Sequence, residues 1–200
     1  MDFIELTGQS CVGKTSFLSR KVLDGDDIEL KAFKLGYKIE KIIIFFWGII
    51  YLGLSKTVIL LYWSFKEDAN LIFRLNIFRN AVTKVGIFST LMKKQSNTSS
   101  LLLVDEGLSH LPFLFLNTET PKVLSLISEE LKNINVIFLK SPGSGVIKER
   151  LKSRGHQRLR FLSLNAFIRR NDEIEDILIK RYSDVYVSYQ DATARAADTG

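Results

Sequence analysis

A glycine-rich segment near the start of the chain constrains its fold more than any other feature. Residues 8–15 read Gly-Gln-Ser-Cys-Val-Gly-Lys-Thr and match the pattern Gly-x-x-x-x-Gly-Lys-Ser/Thr. An apolar-rich run, residues 3–6, precedes the segment, and a helix-compatible run, residues 16–23, follows it. This order predicts a strand, a tight loop and a helix, which is the context that the pattern requires.

A loop of this kind, the P-loop, binds the phosphates of a nucleotide. Its backbone N–H groups point at anionic oxygens, and the following helix begins at the anion with its positive dipole end. Lys14 can reach the β- and γ-phosphates, and the Thr15 hydroxyl can bind Mg²⁺. The predicted nucleotide-binding residues are Gly8, Gln9, Ser10, Cys11, Val12, Gly13, Lys14, Thr15 and Ser16.

A second motif supplies a carboxylate for the metal. Residues 101–104 are four consecutive aliphatics, which predicts a central parallel strand covered on both faces. Asp105 follows at the carboxyl end of this strand, where open α/β sheets place their ligands. We therefore predict that Asp105 holds Mg²⁺, directly or through water. Three roles stay open for Glu106: activating a nucleophile, binding substrate or capping the following helix.

A third strand, residues 135–139, leads into an arginine-rich segment. Arg150 and Arg154 are four residues apart and share one helix face. Arg158 lies beyond Gly155, which is expected to end or bend the helix. These guanidiniums are candidates for stabilising charge on a transferring phosphoryl group. The alternative interpretation is a solvated basic helix.

Together these segments resemble the small P-loop kinases, the nucleoside and nucleotide kinase superfamily that includes thymidylate-kinase-like proteins. The matching residues are 8–15, 101–107 and the passage from 135 to 155. The resemblance implies a P-loop NTPase fold and an arginine-rich lid at about residues 143–162. It assigns Arg150, Arg154 and Arg158 to that lid.

The expected architecture is a three-layer α/β/α sandwich with a mostly parallel sheet. Its strands are residues 3–6, 101–104, 135–139 and 185–189, with residues 57–62 as an uncertain further strand. Residues 74–84 are expected to be helical, as is the segment from 118 to 131. Residues 1–190 are expected to form a single domain, followed by a flexible tail, residues 191–200.

Composition indicates the cellular compartment and the kinds of partner that this chain can have. The single cysteine, Cys11, excludes an intrachain disulfide and indicates a reducing compartment. Met1 is followed by acidic Asp2 with no export segment, so a cytoplasmic location is expected. The net charge is +6, part of which suits phosphate handling. There is no zinc-finger spacing and no RNA-binding aromatic signature, so no nucleic-acid partner is expected.

The segment from 42 to 63 is unusual for a small kinase. Residues 42–55 carry no charge, Lys56 interrupts, and residues 57–63 are again apolar. A spanning helix needs roughly 20 apolar residues, and a central lysine costs about 3 kcal/mol, so spanning is disfavoured. A core helix or a homodimer interface is the preferred interpretation. Contact with a membrane surface is the less favoured one, based on lysines at 31, 34, 38 and 41 as a basic helical stripe.

The chain is thus expected to be an ATP- and Mg²⁺-dependent phosphotransferase with a nucleoside, nucleotide or sugar-like acceptor. The acceptor pocket should lie between the lid and the middle helices. The predicted catalytic residues are Lys14, Asp105, Glu106, Arg150, Arg154 and Arg158. The alternative is a P-loop NTP-binding regulator or assembly ATPase, peripheral to a membrane, with little or no kinase activity. If residues 23–100 form a polar pocket facing Lys14, the kinase is favoured, and if they present an exposed apolar and basic face, the regulator is favoured.

Overall fold

The fold was established from a computed structural model of the chain. It describes residues 3–10, 12–14, 31–32, 38–94, 102–132, 134–139, 141, 143–154, 156–181 and 186–187. Predictions for the flexible tail, for Cys11 and for Thr15 and Ser16 lie outside these residues, as does Lys34.

A parallel sheet forms the centre of the molecule. Its strands are β1 (Phe3–Gly8), β2 (Lys31–Ala32), β3 (Leu102–Asp105), β4 (Asn135–Leu139) and β5 (Tyr186–Val187). They are arranged in the order β2-β3-β1-β4-β5, and every pair is parallel. The three long strands and β5 confirm the predicted segments. Strand β2 was missed, because two residues carry no alternation pattern.

Six α-helices and two 3₁₀ helices occur in the described part of the chain. They are α1 (Lys38–Lys66), α2 (Leu71–Lys94), a first 3₁₀ helix (Leu108–Leu114), α3 (Thr120–Leu126), α4 (Ser128–Leu131), α5 (Ser144–Arg154), a second 3₁₀ helix (Gln157–Arg160) and α6 (Leu164–Arg181). The predicted helix at residues 74–84 is part of α2. The helix expected up to residue 131 is divided at Ile127.

Side chains alternate between the two faces of the sheet, as a strand's period of two requires. On one face, Val136 and Phe138 of β4 join the main core with residues from α2, α6 and the first 3₁₀ helix. On the other, Leu139 packs with Leu6 and with Val12 of the glycine-rich loop. A separate small cluster joins α5 to α6 through Ile147 and Phe167.

Helices α1 and α2 form a hairpin whose inner faces approach closely. A Cβ atom added at Gly86 of α2 would lie 2.0 Å from the carbonyl oxygen of Ile44 on α1. Glycine at this position therefore lets the two backbones touch. The pair buries Leu60 and Ala81 in the main core, so the hairpin packs against the rest of the fold through this core.

Helix α1 corrects two expectations. Residues 57–62, the uncertain strand, lie inside it, because the apolar run continues a helix that crosses Lys56 and departs from helical geometry only at Gly53. Lys56 itself turns to Glu130, with 2.8 Å between Nζ and Oε1. The idea of one helical stripe of lysines also fails, since Lys31 belongs to β2.

The outer face of α1 is apolar and exposed, so residues 42–63 are only partly core. Ile50 is 67% exposed and Leu54 81% exposed. By length and composition, Ile39–Lys66 could cross a membrane, with a mean hydropathy of 2.0 and 22% of the apolar window buried. The helix is therefore longer and more continuous than the interrupted run of apolar residues indicated.

Candidate active site

The glycine-rich loop follows the end of β1. Gly8 has φ 145°, a backbone conformation that favours glycine. A Cβ there would lie 2.5 Å from the carbonyl oxygen of Leu139 in β4. The N–H of Val12 donates to the carbonyl of Gln9 at 3.4 Å, and helical geometry begins at Lys14. The predicted strand and loop are present, and the helix predicted for residues 16–23 lies outside the described residues.

Lys14 lies inside the loop and is 7% exposed. Its Nζ donates to the carbonyl oxygens of Gly8 at 3.0 Å and Gln9 at 2.8 Å. The same ammonium lies 3.1 Å from Oε1 of Glu106. Lys14 is therefore held by its own loop and by the neighbouring strand end, and these contacts must be exchanged before it can bind a phosphate.

The end of β3 brings two carboxylates to the loop. Asp105 pairs in register with Leu6, so it lies beside the end of β1. Glu106 follows with φ 54°, an uncommon conformation for a residue with a side chain, and its N–H donates to the carbonyl of Leu6 at 2.9 Å. The turn at Glu106 directs its carboxylate to Lys14. The structure thus brings Glu106 into contact with Lys14 and places Asp105 beside the end of β1.

The two carboxylates differ in acidity. Burial would raise the pKa of Glu106, but the charges of His110, Lys14 and Lys84 together lower it well below its usual range. The Asp105 side chain is exposed, yet partial desolvation and the neighbouring charge of Glu106 raise its pKa. Glu106 is thus firmly ionised and a weak base, and its geometry favours the role of holding Lys14.

Lys84 of α2 is a site residue that the sequence did not single out. Its Nζ donates to the carbonyl oxygen of Glu106. Burial lowers its pKa, and the carboxylates of Glu106 and Glu5 oppose this effect. A second cation therefore lies at the strand end. Little in the sequence indicated that Lys84 belongs to the site, because a single lysine in a helix usually lies in solvent.

His110, in the first 3₁₀ helix, lies beside the same centre. Its Nε2 is 3.5 Å from Oε2 of Glu106, and its Nδ1 is 3.5 Å from the hydroxyl of Thr7. Burial lowers the pKa of His110 well below its ordinary value. The carboxylate of Glu106 opposes this effect, since it favours the charged form of the imidazole.

Glu5 is a second residue that the sequence did not reveal. It is buried in the middle of β1, and its two carboxylate oxygens accept from the N–H groups of Leu108 and Ser109, both at 2.7 Å. Burial raises its pKa, and these two hydrogen bonds oppose that effect. Its position is structural, since it fixes the start of the 3₁₀ helix. The presence of an acidic residue within an apolar strand was the only sign of this role in the sequence.

The predicted lid arginines lie in different surroundings. Arg150 of α5 donates from Nη1 to the carbonyl oxygen of Val12 at 3.4 Å, so it touches the glycine-rich loop. Arg154 ends α5, and its side chain is outside the described structure. Arg158 lies in the second 3₁₀ helix, and burial lowers its pKa to about 10. Two of the three are thus placed near the site.

Gln9 connects the loop to α6. Its Nε2 donates to Oδ1 of Asp172 at 2.8 Å and to Oε2 of Glu175 at 2.5 Å. Glu175 also accepts from the N–H of Ser141, just after β4. Gln9 is therefore a brace for the loop, and its contacts with α6 could not be derived from the motif.

A cavity of about 500 Å³ opens between α2 and the second 3₁₀ helix. Its polar wall consists of Asn76, Arg79 and Asn80 from α2 with His156, Gln157 and Arg158 from the opposite side. Nε2 of His156 is 3.4 Å from the hydroxyl of Ser10, which places this wall against the glycine-rich loop. On α2, Lys84 is one turn beyond Asn80. The cavity therefore lies beside the glycine-rich loop, between the lid segment and a middle helix.

The donor set for a metal is partial. The described residues include no cluster of three or more His, Cys, Asp or Glu side chains that could hold a metal ion. Mg²⁺ in phosphate sites commonly takes only one or two carboxylates, with phosphates and waters as its other ligands. Asp105, exposed and ionisable beside the loop, fits that pattern.

Comparison with known proteins supports the fold. No family model and no curated sequence matches the chain. Among solved structures, a deoxyadenosine kinase from M. mycoides with bound dATP matches with a TM-score of 0.52 and 15% identity, over 96% of this chain and 91% of that one. The predicted fold class, an α/β P-loop NTPase fold with a mostly parallel sheet, is confirmed. The match does not single out thymidylate-kinase-like proteins.

Proposed function

We propose that the protein is a Mg²⁺- and ATP-dependent phosphotransferase that acts on a small-molecule acceptor. The observation that carries this proposal is the position of the cavity. It borders the glycine-rich loop through the contact of His156 with Ser10, and it is 500 Å³ in volume, a size typical of small-molecule sites. A donor phosphate on the loop and an acceptor in the cavity would therefore lie side by side.

The residues of the loop would perform the binding and charge stabilisation. Lys14 would exchange the carbonyls of Gly8 and Gln9 for phosphate oxygens, and Glu106 would keep its ammonium close to the loop. Arg150, already at the backbone of Val12, would add charge from the lid side. Asp105 and Thr15 would hold Mg²⁺, which neutralises charge on the phosphates. Because loop and acceptor wall belong to one domain, orientation costs little on binding.

Thermal-shift measurements with Mg·ATP and Mg·GTP test the donor site. A nucleotide at 100 times its dissociation constant should stabilise the wild type by about 2.7 kcal/mol. Lys14→Ala should abolish this response, whereas Lys132→Ala, an exposed lysine paired only with Glu129, should keep it. A full response in Lys14→Ala would show that the loop is not the nucleotide site. ADP release with a panel of nucleosides, nucleoside phosphates and sugars then tests transfer.

The exposed face of α1 favours a second candidate function. We propose as the alternative an NTP-binding regulator or assembly ATPase that uses this face to contact its partner. In that case nucleotide would bind and hydrolyse slowly, and no acceptor in the panel would accelerate ADP release. Ile50→Glu would then impair the partner's response without changing nucleotide affinity. Acceleration of ADP release by any acceptor would exclude this alternative as the main function.

A further inference from the structure

The cavity between α2 and the second 3₁₀ helix carries an unbalanced positive charge. Arg79 and Arg158 line it from opposite sides, and none of its lining residues is acidic. Arg79 reaches only the side-chain oxygen of Asn80, at 3.4 Å. Within the described residues, no hydrogen bond or ion pair is found for the Arg158 guanidinium, although the surrounding protein largely desolvates it.

Two carboxylates influence the charge of Arg158, but both are engaged by other groups. Glu106 and Glu67 both act on its pKa, which desolvation lowers to about 10. Glu106 is engaged by Lys14. Glu67 has both oxygens occupied, since it accepts from the N–H groups of Leu116, Asn117 and Thr118 and from the Thr118 hydroxyl. The Arg158 side chain lines the cavity and is partly exposed, so an anionic ligand there would find a guanidinium without a contacting carboxylate in the described residues.

The other groups in the cavity suit the organic part of such a ligand. Phe73, Ile77 and Leu114 supply apolar walls, and Asn76 and Asn80 supply amides that both donate and accept hydrogen bonds. Asn76 and Asn80 are four residues apart in α2, so they share the face that leads towards Lys84. The wall thus combines apolar side chains with amides and carries one guanidinium on each side.

We propose that this cavity selects an acceptor that already carries a phosphate monoester, which Arg79 and Arg158 hold, over the corresponding neutral nucleoside or sugar. Planar guanidiniums match phosphate oxygens with paired hydrogen bonds, which ammonium groups cannot do. This inference rests on the proposed function, because the ligand is an acceptor only if the protein transfers a phosphoryl group. Binding of the ligand can nevertheless be measured without turnover. The proposal differs in acceptor from the solved structure reported above, which is a deoxyadenosine kinase.

Calorimetry with matched pairs of probes tests the proposal. The wild type, with its donor site filled by a non-hydrolysable Mg·ATP analogue, is titrated with adenosine and AMP, thymidine and dTMP, and glucose and glucose 6-phosphate. At least one phosphorylated member should bind, and its neutral counterpart should bind at least about 10-fold more weakly, as loss of charge-assisted hydrogen bonds requires. Equal affinities within every pair, or binding of neutral members only, would overturn the proposal.

Variants separate the arginines from the rest of the site. Arg158→Gln should weaken the phosphorylated probe by about 10- to 100-fold and leave the neutral probe unchanged. Arg158→Lys should recover only part of the affinity. Arg169→Gln, at an arginine 79% exposed on α6, should change nothing. If Arg158→Gln weakens the Mg·ATP analogue instead, the arginine serves the donor and the proposal is wrong.

The same titrations distinguish this proposal from the proposed function. If the Mg·ATP analogue fails to bind while a phosphorylated probe still binds in an Arg158-dependent manner, the phosphotransferase assignment fails and the anion site stands. If the analogue binds and no phosphorylated probe does, the anion site fails and the nucleotide assignment stands.

Discussion

The strand-end centre, which consists of Lys14, Lys84, Asp105, Glu106 and His110, differs from the outer face of α1 in how many contacts its side chains make within the protein. At the centre, Lys14 touches two carbonyls and a carboxylate, and Lys84 and His110 approach the same glutamate. On α1, the outer side chains meet no comparable surface in the described chain, and Ile50 and Leu54 are mostly exposed. The centre is complete within one chain. The exposed face of α1 implies a binding partner, since exposed apolar patches of this kind mark interaction sites.

The largest expected effect lies at the centre. Asp105→Asn should lower kcat by roughly 10²- to 10⁴-fold, because a metal contributes several kcal/mol of charge stabilisation in phosphoryl transfer. The melting temperature should change little, since the side chain is exposed. Steady-state kinetics at several Mg²⁺ concentrations provides the measurement, with Asp176→Asn, an exposed acid of α6, as the control. An unchanged kcat would remove Asp105 from the metal site.

A smaller effect, on stability alone, is expected inside the hairpin. Gly86→Ala places a Cβ atom where the carbonyl oxygen of Ile44 now lies, so it should destabilise the fold by about 1–3 kcal/mol. Gly145→Ala in α5 is the matched control, since a Cβ there meets nothing within 4 Å. Urea denaturation measures both. Equal stabilities would mean that the helices of the hairpin separate easily, contrary to the close packing described.

A change in assembly is expected on the outer face of α1. This face exposes large apolar side chains, among them Ile50 and Leu54. Two copies that pack these faces together would remove them from water. We therefore expect a homodimer, which Ile50→Glu should weaken by at least about 10-fold.

Sedimentation velocity over a concentration series tests this expectation. Val146→Glu, at an exposed apolar residue of α5, should leave the dimer intact. Ile50→Glu should unfold at the same temperature as the wild type under dilute conditions, because the residue is exposed. A wild type that stays monomeric and floats with phosphatidylglycerol vesicles would show that the face contacts lipid instead.

The smallest effect concerns pH. Burial and the charge of Arg158 lower the pKa of His156 to about 4, below its usual 6.5. The unfolded chain therefore binds more protons in that range, and stability should be lost as the pH falls from about 6.5 towards 4. His156→Gln should reduce this loss. The side chain is partly solvated, so the difference should amount to about 1 kcal/mol or less, seen as a shift in melting temperature. Parallel pH profiles would contradict the shift.

The sequence predicted the parts of the site that lie within short segments. Residues 8–15 and 101–107 were sufficient to place Lys14 beside Asp105 and Glu106, because parallel strands end at one edge of a sheet. Glu5, Lys84 and the contacts of Gln9 with α6 could not be predicted in this way. Each depends on a partner far along the chain, and such pairs leave no spacing pattern. Which face of α1 is exposed could not be predicted for a related reason, since apolar composition alone does not tell which side of a helix is covered.

Lys14 has a further consequence for ligand discrimination. Its ammonium has three oxygen partners within the protein, two neutral and one charged, so any incoming anion competes with them. A single free phosphate offers too few contacts to displace all three at once. A polyphosphate chain, which also engages the loop amides, can do so. If nucleotide binds as proposed, these resting contacts would act as a threshold that favours a triphosphate over single small anions.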